Sequence, residues 1–181
     1  MPELSQFVDY ATTPILPTEF ALQAFTDNAS VTVEQALRGI TMEAAADDPD
    51  AQMLAGTAYL SLKVPPPYVN GDDITVDLSI LLSGAHVAAT SEIQFGLAGV
   101  RPGLATNVTV AALSGGSYNL TSVLEDEEYR AISATFDGTN VQAGDVLTLQ
   151  VYLNAITDGT TSGNAYITLM IREGVVTWGA A

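Results

Sequence analysis

Hydrophobic and polar residues alternate with a period of two along much of this chain, which predicts β-strands with one buried face. The alternation is clear over residues 59–64, 74–80, 93–97, 132–136 and 147–153. The residues expected to point inward are Leu60, Leu62, Val64, Ile74, Val76, Leu78, Ile80, Ile93, Phe95, Leu97, Ile132, Ala134, Phe136, Leu147, Leu149, Val151 and Leu153.

Further strands are predicted elsewhere in the chain. Residues 167–172 alternate with Ile167, Leu169 and Ile171 inward, and residues 106–111 and 118–124 are plausible shorter strands. The segment from Glu34 to Glu43 fits either a short helix or a strand.

Turn residues separate these segments. The run Pro65-Pro66-Pro67 is expected to end the strand before it, because proline cannot donate to a strand ladder. The segments 70–73, 101–103 and 137–145 are rich in Asn, Gly, Asp and Pro, which favour turns.

Short strands at this spacing, bounded by Gly- and Asp-rich turns, are typical of a sandwich or a jelly roll. Residues 1–19 carry three prolines and no sustained periodicity, which predicts an extended N-terminal arm. We therefore predict an all-β protein: a single antiparallel β-sandwich of jelly-roll type over residues 20–181, preceded by that arm.

Composition narrows the possible functions. The chain has 181 residues, of which 48% are hydrophobic, and a formal net charge of −16. Such a charge repels phosphates and anionic lipids, so we expect neither nucleic acid nor a membrane as partner. There is no cysteine and one histidine, which excludes thiolate chemistry and histidine-rich metal sites. The N-terminus lacks the pattern of a signal peptide, so synthesis in the cytoplasm is expected.

Few residues suggest a chemical site. His86 follows a predicted strand but has no nucleophile elbow beside it, so we expect an ordinary loop histidine. Asp47, Asp48 and Asp50 are weak candidates for a Ca²⁺ site, since they supply oxygen ligands without EF-hand spacing. We therefore predict no catalytic residues, no cofactor and no metal site beyond these candidates.

Two surface features have alternative interpretations. The acidic run 125–128 is expected to be a solvated loop, with a docking patch for a basic partner as the alternative. Aromatic residues that could support a sugar are few, because Trp178 is the only tryptophan and tyrosines on strand faces more often pack in a core or a subunit interface.

The segment Tyr129–Gly138, followed by Val141–Leu149 with its Ala143-Gly144-Asp145 sequence, resembles the last strands of jelly-roll head decoration (cement) proteins of tailed viruses. The resemblance covers residues 129–172. Gly144 permits a tight conformation, and Asp145 can bond its own turn backbone before the next strand begins.

This resemblance implies a non-enzymatic virion protein on the outer capsid surface, made in the host cytoplasm. Its implied partners are the major capsid protein and itself, as a homotrimer, and the arm could add a strand to a neighbour. Alternatives are another virion component (tail, fibre or turret) and a carbohydrate-binding or adhesin module on the same fold, which would bind a glycan. A hydrolase on a β scaffold is the third class, and it would need a pocket with perturbed carboxylates or a paired His86.

Overall fold

The computed structural model describes residues 12–16, 21–23, 40–46, 52–85, 91–103, 106–120, 128–156 and 165–179. Every regular element within these ranges is a β-strand. The strands are β1 (Thr12–Ile15), β2 (Ala21–Gln23), β3 (Ile40–Ala46), β4 (Gln52–Lys63), β5 (Ile74–Ala85), β6 (Glu92–Arg101), β7 (Thr106–Val110), β8 (Ala112–Ser114), β9 (Ser117–Asn119), β10 (Glu128–Phe136), β11 (Val146–Ile156) and β12 (Ala165–Trp178).

The strands form two six-stranded antiparallel sheets. In sheet A, β1 and β3 lie along one side of β12, and β5, β10 and β8 follow on the other side. In sheet B the order is β2, β4, β11 and β6, and both β7 and β9 pair with β6. The chain crosses between the sheets from β4 to β5 to β6, and again from β10 to β11 to β12. The predicted jelly-roll type of antiparallel β-sandwich is therefore confirmed.

The core lies between the two sheets and consists of the inward residues that the alternation predicts. All of them are buried, and each is no more than 6% exposed. Burying a side chain of this size stabilises the fold by about 1.5–3 kcal/mol. The period of two in the sequence therefore identifies the packed face of each long strand.

The predicted turns also occur. Strand β4 ends at Lys63, just before the proline run, and the turn after it contains Gly71 with φ +94°. Strand β6 ends at Arg101, and the turn there contains Gly103 with φ +87°. Both glycines adopt a left-handed conformation that other residues rarely take.

Strand β12 is longer than the predicted strand because a β-bulge interrupts its alternation. Ile171 pairs with Ile80 and Glu173 pairs with Ser79, so Arg172 is the extra residue. Beyond the bulge the inward positions change from odd to even numbers, and Val176 and Trp178 are buried.

Two short segments add to the sequence prediction. The segment from Glu34 to Glu43 fits either a helix or a strand, and its described part, residues 40–43, belongs to strand β3, which pairs with β12. Strand β8 was not predicted, because its three residues are all exposed and give no alternation.

Part of the predicted arm is a strand at the edge of sheet A. Residues 12–15 form β1, and Ile15 is only 1% exposed. The indole Nε1 of Trp178 donates a hydrogen bond of 2.8 Å to Thr13 Oγ1. Residues 1–11 and 17–20 lie outside the described residues, so the division between arm and domain stays a prediction. No helix in the described ranges has the length and apolar character needed to span a membrane.

Candidate functional site

The outer face of sheet B carries tyrosine, amide and hydroxyl side chains on its three central strands. Alternation along β4, β11 and β6 turns these side chains away from the core. The outward residues in this region are Thr57, Tyr59, Ser61, Glu92, Gln94, Gly96, Thr148, Gln150, Tyr152 and Asn154. This composition combines hydrogen-bonding groups with two aromatic rings.

Cross-strand pairing arranges this face in rows. Gln150 of β11 lies between Tyr59 of β4 and Gly96 of β6. In the next row, Tyr152 lies opposite Gln94. The side chains of Gln150, Tyr59, Tyr152 and Gln94 are partly exposed and within reach of a ligand, whereas Thr57, which also pairs with Tyr152, is fully buried.

A cleft opens on this face above Gly96. Its volume is about 270 Å³, and Gln94, Phe95, Gly96, Gln150 and Tyr152 line it. A Cβ atom built at Gly96 would lie 3.5 Å from Gln150 Oε1, an ordinary contact distance. The space above Gly96 is therefore open because residue 96 has no side chain. A side chain at this position would fill the cleft without a clash at its Cβ atom.

One end of the face is rich in hydrogen-bond acceptors. The two carboxylate oxygens of Glu92 accept hydrogen bonds from Gln94 Nε2 and from Ser117 Oγ. Asn154 lies directly opposite Glu92 on β11. Tyr152 lies two residues from Asn154 on the same strand and pairs with Thr57 of β4.

Two side-chain oxygens at this end have no hydrogen-bond partner among the described residues. They are Thr57 Oγ1 and Asn154 Oδ1, and both atoms are buried. Thr57 is 0% exposed although it lies on the outer face. Buried polar groups in native proteins are normally paired with protein or ordered water, so these two oxygens are exceptions to that rule.

The sequence patterns do not predict this group of residues. Tyrosines on strands are expected to pack more often in a core or an interface, whereas Tyr59 and Tyr152 lie on an outer face beside amides. The available signal was a repeat of Gln and Tyr at outward positions of separate strands.

The outer face of sheet A is different in character. Leu81 lies between Met170 and Tyr129 in one row. Leu81 is only 8% exposed and Met170 only 6%. Tyr129 is 64% exposed at the edge of this apolar row. A cavity of about 360 Å³ lies near the bulge of β12, and Ala131 and Val175 contribute to its lining.

The structure brings together only some of the predicted site residues. His86 and the weak Ca²⁺ candidates Asp47, Asp48 and Asp50 lie outside the described residues, as do residues 125–127 of the acidic run. No group of three or more metal-ligating His, Cys, Asp or Glu side chains occurs in the part of the chain that the structure describes.

Gly144 and Asp145 shape the turn before β11. Gly144 has φ +90°, and the Asp145 backbone N–H and carbonyl bond Gln142 O and the Val64 N–H. The carboxylate accepts a hydrogen bond of 2.9 Å from the Gln142 N–H, and Arg101 bonds both of its oxygens at 3.0 and 3.1 Å.

The charge of Asp145 is stabilised in this turn. Burial alone would raise the pKa of Asp145, but the hydrogen bonds from Arg101 and Gln142 and the Arg101 charge hold it below its ordinary value. The same hydrogen bond raises the pKa of Arg101. This arrangement is a structural ion pair at the end of the sandwich, and it joins the end of β6, which carries Gly96, to the residue before β11, which carries Gln150.

Tyr68, in the segment between β4 and β5, connects several parts of the chain through its hydroxyl and its ring. Its hydroxyl lies 2.5 Å from Asp72 O and 3.3 Å from Gly138 O, and its ring meets Trp178 edge-on with centroids 6.2 Å apart. Burial raises the pKa of Tyr68 to about 12, so the hydroxyl stays a hydrogen-bond donor even in alkaline solution.

No known family model matches this chain, and no curated protein matches it. Among solved structures, a carbohydrate-binding module specific for non-crystalline cellulose, CBM28, matches with a TM-score of 0.50 and 11% identity over 86% of this chain and 87% of that one. The CBM22-1 xylan-binding domain of Paenibacillus barcinonensis Xyn10C matches with a TM-score of 0.43 and 16% identity over 92% and 90% of the two chains.

The CBM22-1–GH10 modules of Clostridium thermocellum endo-1,4-β-D-xylanase 10B also match, with a TM-score of 0.44 and 10% identity. This match covers 92% of the present chain but only 27% of that chain, so the chain spans about a quarter of that protein's length. At these identities the likeness concerns the fold alone, which is an antiparallel jelly-roll β-sandwich.

Proposed function

We propose that this chain is a non-catalytic glycan-binding module that holds a polysaccharide on the outer face of sheet B. The observation that carries the proposal is the cleft above Gly96, which Tyr152 and the amides of Gln94 and Gln150 line. Sugar rings present hydroxyl groups at their edges and apolar C–H groups on their faces. Tyrosine rings and amide side chains offer surfaces for both.

The position of the cleft also supports this function. The cleft lies across the two paired strands β6 and β11, so the register of the sheet fixes the distances between its polar groups. Sites built on strands are held more firmly than sites on loops. A rigid face of this kind binds a ligand with little loss of conformational entropy in the protein.

The fold likeness indicates which polymers to test first. CBM28 is described as specific for non-crystalline cellulose, and the Paenibacillus domain as xylan-binding. Affinity electrophoresis through gels that contain hydroxyethylcellulose, xylan or mannan provides the test. We expect at least one of these polymers to retard the protein relative to a non-binding reference protein. Unchanged mobility with all three would contradict the proposal.

A second candidate function is decoration of a virion, which is the role implied by the resemblance of residues 129–172 to head decoration proteins. The observation in its favour is that residues 12–15, within the predicted arm, add a strand to the edge of sheet A. The same type of pairing would allow an arm to bind a neighbouring subunit. Light scattering at low and at molar salt tests this candidate, because a salt-stable trimer supports it and a monomer under both conditions weakens it.

A further inference from the structure

The outer face of sheet A has an acidic cavity beside an apolar row, and the proposed glycan site uses neither of them. We propose that this face docks a basic segment of another protein, with a Lys or Arg side chain in the cavity and a large apolar side chain against the row. The proposal is independent of glycan binding, because it concerns the other sheet of the sandwich.

Two carboxylates line the cavity of about 360 Å³ near the bulge of β12. Glu173 pairs with Ser79, and Val175, the next outward residue of β12, pairs with Asp77. Asp77 and Glu173 are therefore diagonal neighbours on one face of the sheet, where such positions lie about 7–8 Å apart. One ammonium or guanidinium group placed between them can contact both carboxylates.

The charges of these two carboxylates are not neutralised by a neighbour. Within the ranges that the structure describes, neither Asp77 nor Glu173 has a hydrogen bond or an ion pair. Arg172, the extra residue of the bulge, places its Nη1 3.8 Å from Met170 Sδ instead. The described lining of the cavity contains no cation, so a basic side chain of a partner would supply the missing positive charge.

The apolar row lies directly beside the cavity. Tyr129 and Leu81 are the next outward residues after Ala131 and Ser79 on β10 and β5, and Met170 completes the row. Two residues along a strand span about 7 Å, which is also the spacing of side chains on one face of an extended peptide. A segment with a basic residue and a large apolar residue two positions along therefore matches both features of this face.

Charge and exposure together select the class of partner. The net charge of −16 attracts basic proteins and repels the phosphates of nucleic acids and lipids. A second copy of this chain carries the same charge, with 5 basic against 21 acidic residues, so its approach is disfavoured. A small amine would fill the cavity but leave Tyr129 at 64% exposure. A protein segment covers both the carboxylates and the tyrosine.

Random peptides displayed on phage and selected on the immobilised full chain test this proposal. We expect the enriched peptides to carry Lys or Arg two positions from a large apolar residue. Their affinities, measured by fluorescence anisotropy, should fall about threefold with Asp77→Asn or Glu173→Gln, as for a partly exposed ion pair. Tyr129→Ala should lower them about fivefold.

Matched controls separate this face from the rest of the surface. Asp73→Asn removes one exposed charge from the turn before β5, and Val100→Ala truncates an apolar side chain that is 47% exposed on sheet B. Neither control should change the affinity of the enriched peptides. The midpoint of urea unfolding of each variant shows that it remains folded.

Several outcomes would overturn the proposal. One is a library without enriched peptides, and another is a set of peptides that bind the double variant Asp77→Asn/Glu173→Gln as tightly as the wild type. Spermidine that binds as tightly as the best peptide would assign the cavity to a small amine. A dimer in light scattering that the double variant dissociates would assign the face to a second copy of the chain.

Discussion

Arg101 and Asp145 form a bidentate ion pair in which Nε and Nη2 of the guanidinium lie 3.0 and 3.1 Å from the two carboxylate oxygens. The pair joins the end of β6 to the residue before β11. Gly96 and Gln150, which face each other in the cleft, lie on these same two strands. The ion pair therefore helps to fix the strand register on which the candidate site depends.

The first prediction concerns the stability that this ion pair provides. Asp145→Asn removes the negative charge from a side chain that is 2% exposed and already hydrogen-bonded. We expect the free energy of unfolding at pH 7 to fall by about 2 kcal/mol, as for the loss of hydrogen bonds to a charged group. Urea denaturation at pH 7 measures this change.

The same variant should change the pH dependence of stability. The folded pKa of Asp145 lies below its unfolded value of about 3.9, so the folded state binds fewer protons. The stabilisation is therefore complete above the unfolded pKa and is lost as the pH falls through the folded pKa. The difference in the free energy of unfolding between the wild type and Asp145→Asn should therefore shrink over that acidic range. A difference that stays constant with pH would show that the pKa of Asp145 is not lowered in the folded state. Glu173→Gln, at an exposed position on β12, is the control.

The second prediction concerns the attachment of β1. Thr13→Val leaves the Trp178 indole N–H without its acceptor, and Trp178 is 0% exposed. We expect a loss of about 1–3 kcal/mol in the free energy of unfolding. Thr12→Val, at an exposed position on the same strand, should have little effect on stability. If both variants unfold at the same urea concentration as the wild type, this hydrogen bond does not stabilise the fold.

The third prediction concerns the aromatic part of the proposed site. Tyr152→Ala removes a ring that lines the cleft, and we expect an affinity loss of about tenfold or more for the bound polymer. Tyr129→Ala is the matched control, because Tyr129 is 64% exposed on the outer face of sheet A. Isothermal titration calorimetry of both variants measures the affinities. An equal effect of the two substitutions would argue against a site on sheet B.

The fourth prediction concerns the space above Gly96. Gly96→Val places a branched side chain in the cleft, and its Cβ meets Gln150 only at an ordinary contact distance. Valine is favoured in strands, so we expect stability to be unchanged or slightly raised while affinity falls at least tenfold. Ala131→Val, on the outer face of sheet A, should leave binding unchanged. Full affinity in Gly96→Val would show that the ligand does not enter this cleft.

The sequence predicts the buried faces of the long strands because their periodicity is a local property. Leu147 to Leu153 alternate without interruption, and every inward residue of that run is fully buried. The alternation fails at Arg172, where one extra residue shifts the phase of β12. A bulge depends on the partner strand, so the residues of β12 alone do not reveal it.

The candidate site depends on relationships that local patterns do not contain. Gly96 and Gln150 are far apart in the chain and meet only because β6 and β11 are neighbours in sheet B. Single-strand patterns indicate that both residues face outward, but not that they face each other. In the turn before β11, by contrast, Gly144 and Asp145 have local conformational preferences, and a resemblance limited to residues 129–172 included them.

The most direct test of the central claim is a map of the amide resonances that shift when ¹⁵N-labelled protein is titrated with cellohexaose, xylohexaose or mannohexaose. We predict that a binding oligosaccharide shifts the amide resonances of Tyr59, Gln94, Gly96, Gln150 and Tyr152 on the outer face of sheet B and leaves those of Tyr129 and Ala131 unchanged. Shifts that cluster on β5, β10 and β12 of sheet A, or no shifts with any of the three sugars, would contradict it.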